Sequence, residues 1–94
     1  MSVYVVSWNL NKEGAAYSTA RTTFFNQLQK FEYSYSASLE TTAFVSTTSE
    51  VNQVYDFLRT AVDDNDRLFV SKLHSGCHKG WLDKSQWEWI NARV

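Results

Sequence analysis

The order of strand-like and helix-like periodicities along this 94-residue chain predicts a single α+β domain. A β-branched and aromatic run opens the chain at Val3–Leu10, and an apolar face with spacings of three and four follows between Tyr17 and Phe31. The same two patterns then return in the order strand, strand, helix and strand. A hydrophobic content of 44% is enough for one core, and the small size favours a partner subunit that covers part of the apolar surface.

The first half of the chain contains the first three strands and the first helix. The first strand carries small polar side chains toward its end, at Ser7, Asn9 and Asn11. The amphipathic helix that follows places its apolar residues on one face, namely Tyr17, Ala20, Phe24, Leu28 and Phe31. Aromatic or apolar residues alternate with polar ones over residues 33–40 and predict a second strand, and Thr41–Thr47 predicts a third.

The second half begins with another helix and strand. Residues 48–50, Thr-Ser-Glu, supply an N-cap and an acid for the first turn of a helix whose inner residues are Val51, Val54, Leu58, Ala61 and Val62. Residues 63–66 form an acidic turn, and Arg67–Leu73 is a fourth strand, apolar enough to be central. The resulting β-α-β-β-α-β order is that of the ferredoxin-like arrangement, an antiparallel sheet with two helices on one face.

The remaining residues, 74–94, form a Trp-rich C-terminal extension to this core unit of residues 1–73 within one domain. Trp81, Trp87 and Trp89 lie within nine residues, and either Asp83 or Ser85 is placed to cap a short helix. So much aromatic surface requires burial. We expect the extension to cover the second sheet face, a sheet edge or a partner subunit.

Charge and cysteine content limit the function classes. A net charge of −1 argues against binding nucleic acid by bulk electrostatics. Residues 1–66 carry four basic and eight acidic side chains, whereas residues 67–94 carry five basic and two acidic ones, which leaves either ordinary surface charge or a local anion-binding face. A single cysteine, the lack of a signal-peptide pattern and the lack of a long apolar run predict a cytoplasmic protein without membrane contact.

Several residue groups have chemistry that suits a metal ion. His74, Cys77 and His78 suit zinc, but a structural zinc site wants four ligands, and an ordinary polar loop is the alternative that we favour. The acids of residues 63–66 have the oxygen ligands that Mg²⁺ prefers, or they form a solvated turn. We expect no bound metal, with Mg²⁺ as the cofactor only if the protein is a nuclease.

Two further groups have an alternative in catalysis or base stacking. Cys77 beside a histidine has the composition of a thiol nucleophile with its base, although no third group orients the base. Strand aromatics make either a core or a platform for stacked bases; they are Trp8, Tyr33, Tyr35 and Phe44.

Three segments carry a resemblance to known proteins: residues 3–12, 63–72 and 80–91. In these segments the chain is similar to uncharacterised bacterial and phage proteins described as SinR-like. More distantly, it resembles the small ferredoxin-like proteins of CRISPR adaptation (the second Cas protein) and the VapD-type toxins. The resemblance implies a homodimer that associates through its sheets and, in the nuclease members, metal-dependent phosphodiester cleavage between subunits.

The position that matches the metal-binding aspartate of those nucleases is Asn9. Because asparagine offers a neutral carbonyl where a hard cation favours a carboxylate, we expect metal affinity to fall sharply. Dimerisation does not depend on this residue.

Three functions remain as hypotheses. The first is a non-catalytic module that binds nucleic acid or an acidic partner through Lys12, Arg67, Lys72, Lys79 and the two histidines. The second is a toxin-like or phage-defence endoribonuclease, in which Ser7, Asn9, Asn11 and Lys12 position the backbone and His74 or His78 is the general acid or base. The third is a structural partner of another protein through the Trp-rich face.

Overall fold

The computed structural model describes all 94 residues and confirms the α+β class. In chain order the elements are β1 (Ser2–Asn9), α1 (Gly14–Leu28), β2 (Glu32–Tyr35), a 3₁₀ turn (Ala37–Leu39), β3 (Thr42–Thr47), α2 (Val51–Arg59), β4 (Arg67–Lys72) and α3 (Lys84–Asn91). None of the helices is long and apolar enough to cross a bilayer.

The four strands form one antiparallel sheet in the order β2-β3-β1-β4. In the centre, Val5 pairs with Phe44 of β3 and with Ser71 of β4. Each helical connection therefore joins two strands of the same direction that have one strand between them. The prediction that β4 is central is wrong, because β4 is an edge strand.

The main core lies between the sheet and the helices α1 and α2. Alternate residues of β1 point to this side, so Tyr4, Val6 and Trp8 are buried together. They pack against buried side chains of the two helices, which are Phe24, Leu28, Val54 and Leu58. The aromatic rings of Trp8 and Phe24 have centroids 4.6 Å apart, so the predicted apolar face of α1 supplies the aromatic centre of this core.

The other side of the sheet holds a second, smaller core. Val3 and Phe44 are buried there with Ile90 of α3, and Trp87 and Trp89 pack around them. Of the three places expected for the Trp-rich extension, the structure shows this one, the second face of the sheet. Two polar contacts hold the ends of α3: the Asp83 carboxylate accepts hydrogen bonds from Ser36 and Ser38, and Arg93 pairs with Glu32.

Several predicted element boundaries are wrong. The strand predicted over residues 33–40 ends at Tyr35, because the Ser36 hydroxyl accepts a hydrogen bond from the backbone N–H of Ser38 (3.3 Å) and starts the 3₁₀ turn. Helix α2 has Glu50 as its N-cap residue, and the Gln53 side chain accepts from the Glu50 backbone N–H at 2.7 Å. It ends at Arg59, so residues 61 and 62 of its predicted inner face lie beyond it. Of the two predicted cap candidates for α3, Asp83 and Ser85, the structure shows Asp83 as the N-cap residue.

Candidate interaction face

The side of the sheet opposite α1 and α2, called here the second sheet face, is only partly covered. Helix α3 packs over Val3 and Phe44. Further along the strands, Ser7 pairs with Phe69, and Asn9 pairs with Arg67. These four residues, called here the open end, share a face with Val5 by strand alternation. Phe69 is 63% exposed, so the open end faces solvent and leaves a large aromatic side chain uncovered.

An apolar cavity of about 360 Å³ lies beside the open end, on the same side of the sheet. Its lining includes Val5 and Phe44 of the sheet, Trp87 of α3 and the segment from His78 to Leu82. Trp81 borders this cavity, yet the residue is 101% exposed and its ring does not fill the space. The second sheet face therefore leaves apolar surface uncovered at two places: the exposed Phe69, and the cavity beside the exposed Trp81.

The rim of the cavity is polar and carries no carboxylate. His78 and Lys79 are its only ionisable lining residues. The His78 Nδ1–H donates to the carbonyl oxygen of His74 at 2.9 Å, since a carbonyl can only accept. The His78 ring also stacks on Trp87, with ring centroids 6.0 Å apart. These two contacts hold the loop that forms the cavity wall, so the His78 ring has a structural role there.

A buried carboxylate joins the loop after β1 to the turn before β4. The side chain of Asp66 is only 2% exposed, and it accepts hydrogen bonds from the backbone N–H groups of Asn11 (2.8 Å) and Asp63 (3.0 Å). The Lys12 ammonium donates to both Asp66 oxygens, at 2.8 and 3.0 Å, and pairs with the Asp63 carboxylate at 2.9 Å. The prediction of a solvated acidic turn is therefore wrong for Asp66, which anchors the turn.

The ionisation of this cluster follows from its contacts. Burial raises the pKa of Asp66, but the hydrogen bonds from the Asp63 backbone, from Lys12 and from the Asn11 backbone outweigh it and leave the pKa below its ordinary value. Hydrogen bonds to Asp66 and then to Asp63 raise the pKa of Lys12. The Lys12 contact and the Asn65 backbone N–H lower the pKa of Asp63. The cluster is thus fully ionised near neutral pH, as a structural ion pair requires.

The residues predicted for catalysis lie at opposite ends of β4. Asn9 is exposed and pairs with Arg67, where β4 begins, whereas His74 and His78 follow its last residue, Lys72. Five strand steps of roughly 3.3 Å separate the two ends of β4 by about 16 Å. Within one chain, the structure does not bring Asn9 and the histidines together.

The four cations predicted for nucleic-acid binding are dispersed. The charge of Lys12 is paired with Asp63 and Asp66. Arg67 lies at the open end, and its guanidinium donates to the carbonyl oxygen of Asp66 at 2.8 Å. Lys72, opposite Tyr4, is placed by strand alternation on the helix-covered side, and Lys79 is at the cavity rim. They do not form one continuous basic patch.

The metal and base-stacking alternatives find no support in the geometry. No group of three or more His, Cys, Asp or Glu side chains is arranged to hold a metal ion, and Cys77 is an exposed free thiol. The aromatic platform is not formed either. Trp8, Tyr33 and Tyr35 pack in the main core, whereas Phe44 is buried on the second sheet face under α3.

Sequence reasoning missed three features of this region: the exposure of Phe69, the exposure of Trp81 beside a cavity, and the burial of Asp66. Phe69 sits inside an apolar run, Leu68–Val70, that is typical of a buried strand. Its exposure follows from the position of β4 at the edge and from the limited reach of α3. One signal in the sequence pointed to an open face: Phe69 shares its sheet face with the polar residues Ser7 and Asn9 of the neighbouring strand.

Comparisons of this chain with protein-family models, with curated proteins and with solved structures find no match.

Proposed function

We propose that this chain is a ferredoxin-like, non-catalytic interaction module that forms a homodimer through its second sheet face. The ferredoxin-like assignment is supported by the β-α-β-β-α-β core and by its strand order, β2-β3-β1-β4. The observation that carries the function is the uncovered half of the second sheet face, where Phe69 is 63% exposed on an edge strand. An uncovered aromatic side chain on an edge strand favours association with another protein chain.

Charge favours a protein partner over nucleic acid. A nucleic-acid interface needs clustered cations that neutralise phosphates. Here Lys12 is paired with two carboxylates, and Lys72 and Arg67 lie on different sides of the sheet. Aromatic side chains, in contrast, are enriched at protein interfaces, and the second sheet face has both Phe69 and Trp81 exposed. The resemblance to the CRISPR adaptation and VapD-type proteins agrees with a dimer that associates through the sheets.

The experiment is a concentration series by sedimentation velocity on the full chain and on Phe69→Ser. Because Phe69 is exposed, its replacement leaves the folded monomer intact. We expect the dissociation constant of the dimer to rise about tenfold or more in Phe69→Ser. Val51→Ser is the matched control, since Val51 is also an exposed apolar residue (37%) but lies on α2, on the other side of the sheet. A monomer at all concentrations, or equal effects of the two variants, would overturn the proposal.

Nucleic acid is tested in parallel with labelled single- and double-stranded RNA and DNA, with and without Mg²⁺ or Mn²⁺. We expect neither retardation at moderate salt nor cleavage. Retardation that weakens steeply with salt would replace the protein partner by nucleic acid. Cleavage lost in Asn9→Ala or in His74→Ala with His78→Ala would instead establish the endoribonuclease and its residues.

A further inference from the structure

The cavity on the second sheet face and the ring beside it form a self-complementary pair. Trp81 is the largest kind of apolar side chain, and it is 101% exposed at the border of an apolar cavity that it does not occupy. A fully buried aromatic residue contributes strongly to an interface, and Trp is the residue type most enriched at interface hot spots. An exposed Trp on a folded domain therefore marks a contact that the monomer does not make.

We propose that the occupant of this cavity is the Trp81 ring of a second copy of this chain, inserted reciprocally across a two-fold axis. This inference rests on the proposed homodimer and names its central contact. In a two-fold dimer the same patch meets itself, so a ring and a cavity on one patch each find their counterpart on the partner. Both features are on this one patch, because Trp81 borders the cavity.

The size and lining of the cavity fit an indole ring. Its volume of about 360 Å³ is at the small end of the range of small-molecule pockets, roughly 300–1,000 Å³, and leaves room for an indole ring. Phe44, Leu73 and Trp87 supply apolar and aromatic surface on its inner side. Offset or edge-to-face contacts with these rings suit an entering aromatic side chain.

The positive charge of Lys79 at the rim argues against a cationic side chain as the occupant of the cavity. Lys79 is exposed at the rim, and no carboxylate lines the cavity. A cationic side chain would meet an uncompensated like charge there. The face of an aromatic ring instead attracts an ammonium group. The Trp81 ring of a second copy would fill apolar space in the cavity and present its face to the Lys79 ammonium at the rim.

Gly80 makes the cavity side testable independently of the ring. It lines the cavity, and a Cβ added there would meet Leu82 and Trp87 at 3.9 and 4.0 Å, which is ordinary van der Waals contact. Gly80→Leu therefore adds a branched apolar side chain to the cavity wall, which narrows the space for an entering ring, and keeps Trp81. Trp81→Ser removes the ring and keeps most of the cavity lining. Each variant lacks one half of the contact.

The experiment measures dimer dissociation constants by sedimentation equilibrium for the parent chain, for each variant and for their equimolar mixture. We expect each variant alone to dimerise about 30-fold or more weakly than the parent, as loss of a central hot spot does. In the mixture, the ring of Gly80→Leu can enter the cavity of Trp81→Ser, which restores one of two contacts. The mixed dimer should therefore be tighter than either variant dimer. Tyr55→Ser is the control for removing an exposed aromatic residue, since Tyr55 lies on α2.

The outcomes separate this inference from the proposed function. A monomeric parent chain overturns both. A dimeric parent that both variants leave unchanged overturns the Trp81 contact and leaves the dimer through the second sheet face standing. Weakened variants without recovery in the mixture also overturn the reciprocal insertion, because the ring and the cavity then do not meet. Circular dichroism and thermal unfolding of each variant show that the monomer fold is retained, and a variant that has lost the fold is replaced by Trp81→Gln or Gly80→Val.

Discussion

Replacement of Asp66 by Asn tests whether the buried carboxylate holds the acidic turn against the loop after β1. The substitution keeps the shape of the side chain and removes its charge. Asp66 accepts from two backbone N–H groups and, through both of its oxygens, from the Lys12 ammonium. Asparagine has one oxygen, so its amide N–H₂ group must face donors that the second carboxylate oxygen now satisfies.

The expected cost follows from these contacts. A hydrogen bond to a charged group contributes roughly 1.5–3 kcal/mol, and a donor left buried without a partner costs roughly 1–3 kcal/mol. Lys12 keeps its second partner, Asp63, so it is not left without a counter-charge. We therefore expect Asp66→Asn to lower the free energy of unfolding by about 3 kcal/mol at pH 7, which for a domain of this size lowers the Tm by about 12–24 °C.

The assay is urea unfolding followed by tryptophan fluorescence, with Asp64→Asn as the control. The Asp64 side chain is 96% exposed and pairs with Arg59 at the surface, where an ion pair contributes about 0–1 kcal/mol, so the same substitution two residues away should lower stability by less than about 1 kcal/mol. Equal stabilities of Asp66→Asn and Asp64→Asn would refute the anchoring role of Asp66.

The pH dependence gives an independent check on the same residue. The pKa of Asp66 is lower in the folded chain, chiefly because three hydrogen bonds together outweigh the effect of burial. Its stabilisation is therefore present above the ordinary Asp pKa of about 3.9 and is lost as the pH falls through the lower folded value. The difference between the parent and Asp66→Asn should narrow below about pH 4; a constant difference down to pH 2 would mean that the charge is not responsible.

Three further changes test other contacts. Hydrogen bonds to Asp66 and Asp63 raise the pKa of Lys12, so its stabilisation is fully present below the ordinary Lys pKa of about 10.4 and is lost as the pH rises through the higher folded pKa. Urea unfolding at increasing pH should therefore show a larger alkaline loss of stability in the parent than in Lys12→Met, and equal losses would contradict this role of Lys12. Asp83→Ala removes the acceptor of the Ser36 and Ser38 hydroxyls at the start of α3. Relative to the parent, amide hydrogen exchange should accelerate more in α3 than in β1, and an equal acceleration in both elements would contradict the role of Asp83 in holding α3. Gln86 is 2% exposed, and neither its amide nitrogen nor its amide oxygen has a hydrogen-bond partner. Gln86→Met should therefore raise the free energy of unfolding by about 1–2 kcal/mol, as measured by urea unfolding. A decrease would indicate a buried partner for the amide.

The sequence predicts most of the fold because the responsible signals are local. The β-branched and aromatic run of β1 and the three-and-four spacing of α1 are short-range patterns, and both elements appear where those patterns lie. Two of the boundaries that differ have local hydrogen-bond causes: the Ser36 hydroxyl starts a 3₁₀ turn, and the Gln53 side chain accepts from the backbone N–H of Glu50 at the start of α2. Several serines and acids near each boundary offer the same chemistry, so composition alone does not choose between them.

The site is less predictable because its properties depend on distant parts of the chain. Asp66 is buried through contacts with Asn11 and Lys12, more than 50 positions away, and nothing local distinguishes it from the exposed Asp64. The exposure of Trp81 similarly depends on where the segment before α3 crosses the sheet. Long-range placement, rather than residue type, decides which acid anchors the turn and which Trp stays in solvent.

The exposed Phe69 shows how an apparent failure of prediction becomes an argument about function. An apolar run in an edge strand is a liability, because an open edge and an open apolar face both invite association. On the helix-covered side, Leu68 and Val70 pack into the main core, and that packing accounts for their hydrophobicity. Phe69 has no such role in the monomer, since it is 63% exposed beside Ser7. A side chain that contributes nothing to the core and adds an association risk is best explained by a contact with a second molecule, which is why the second sheet face, and not the histidine loop, is the surface to test first.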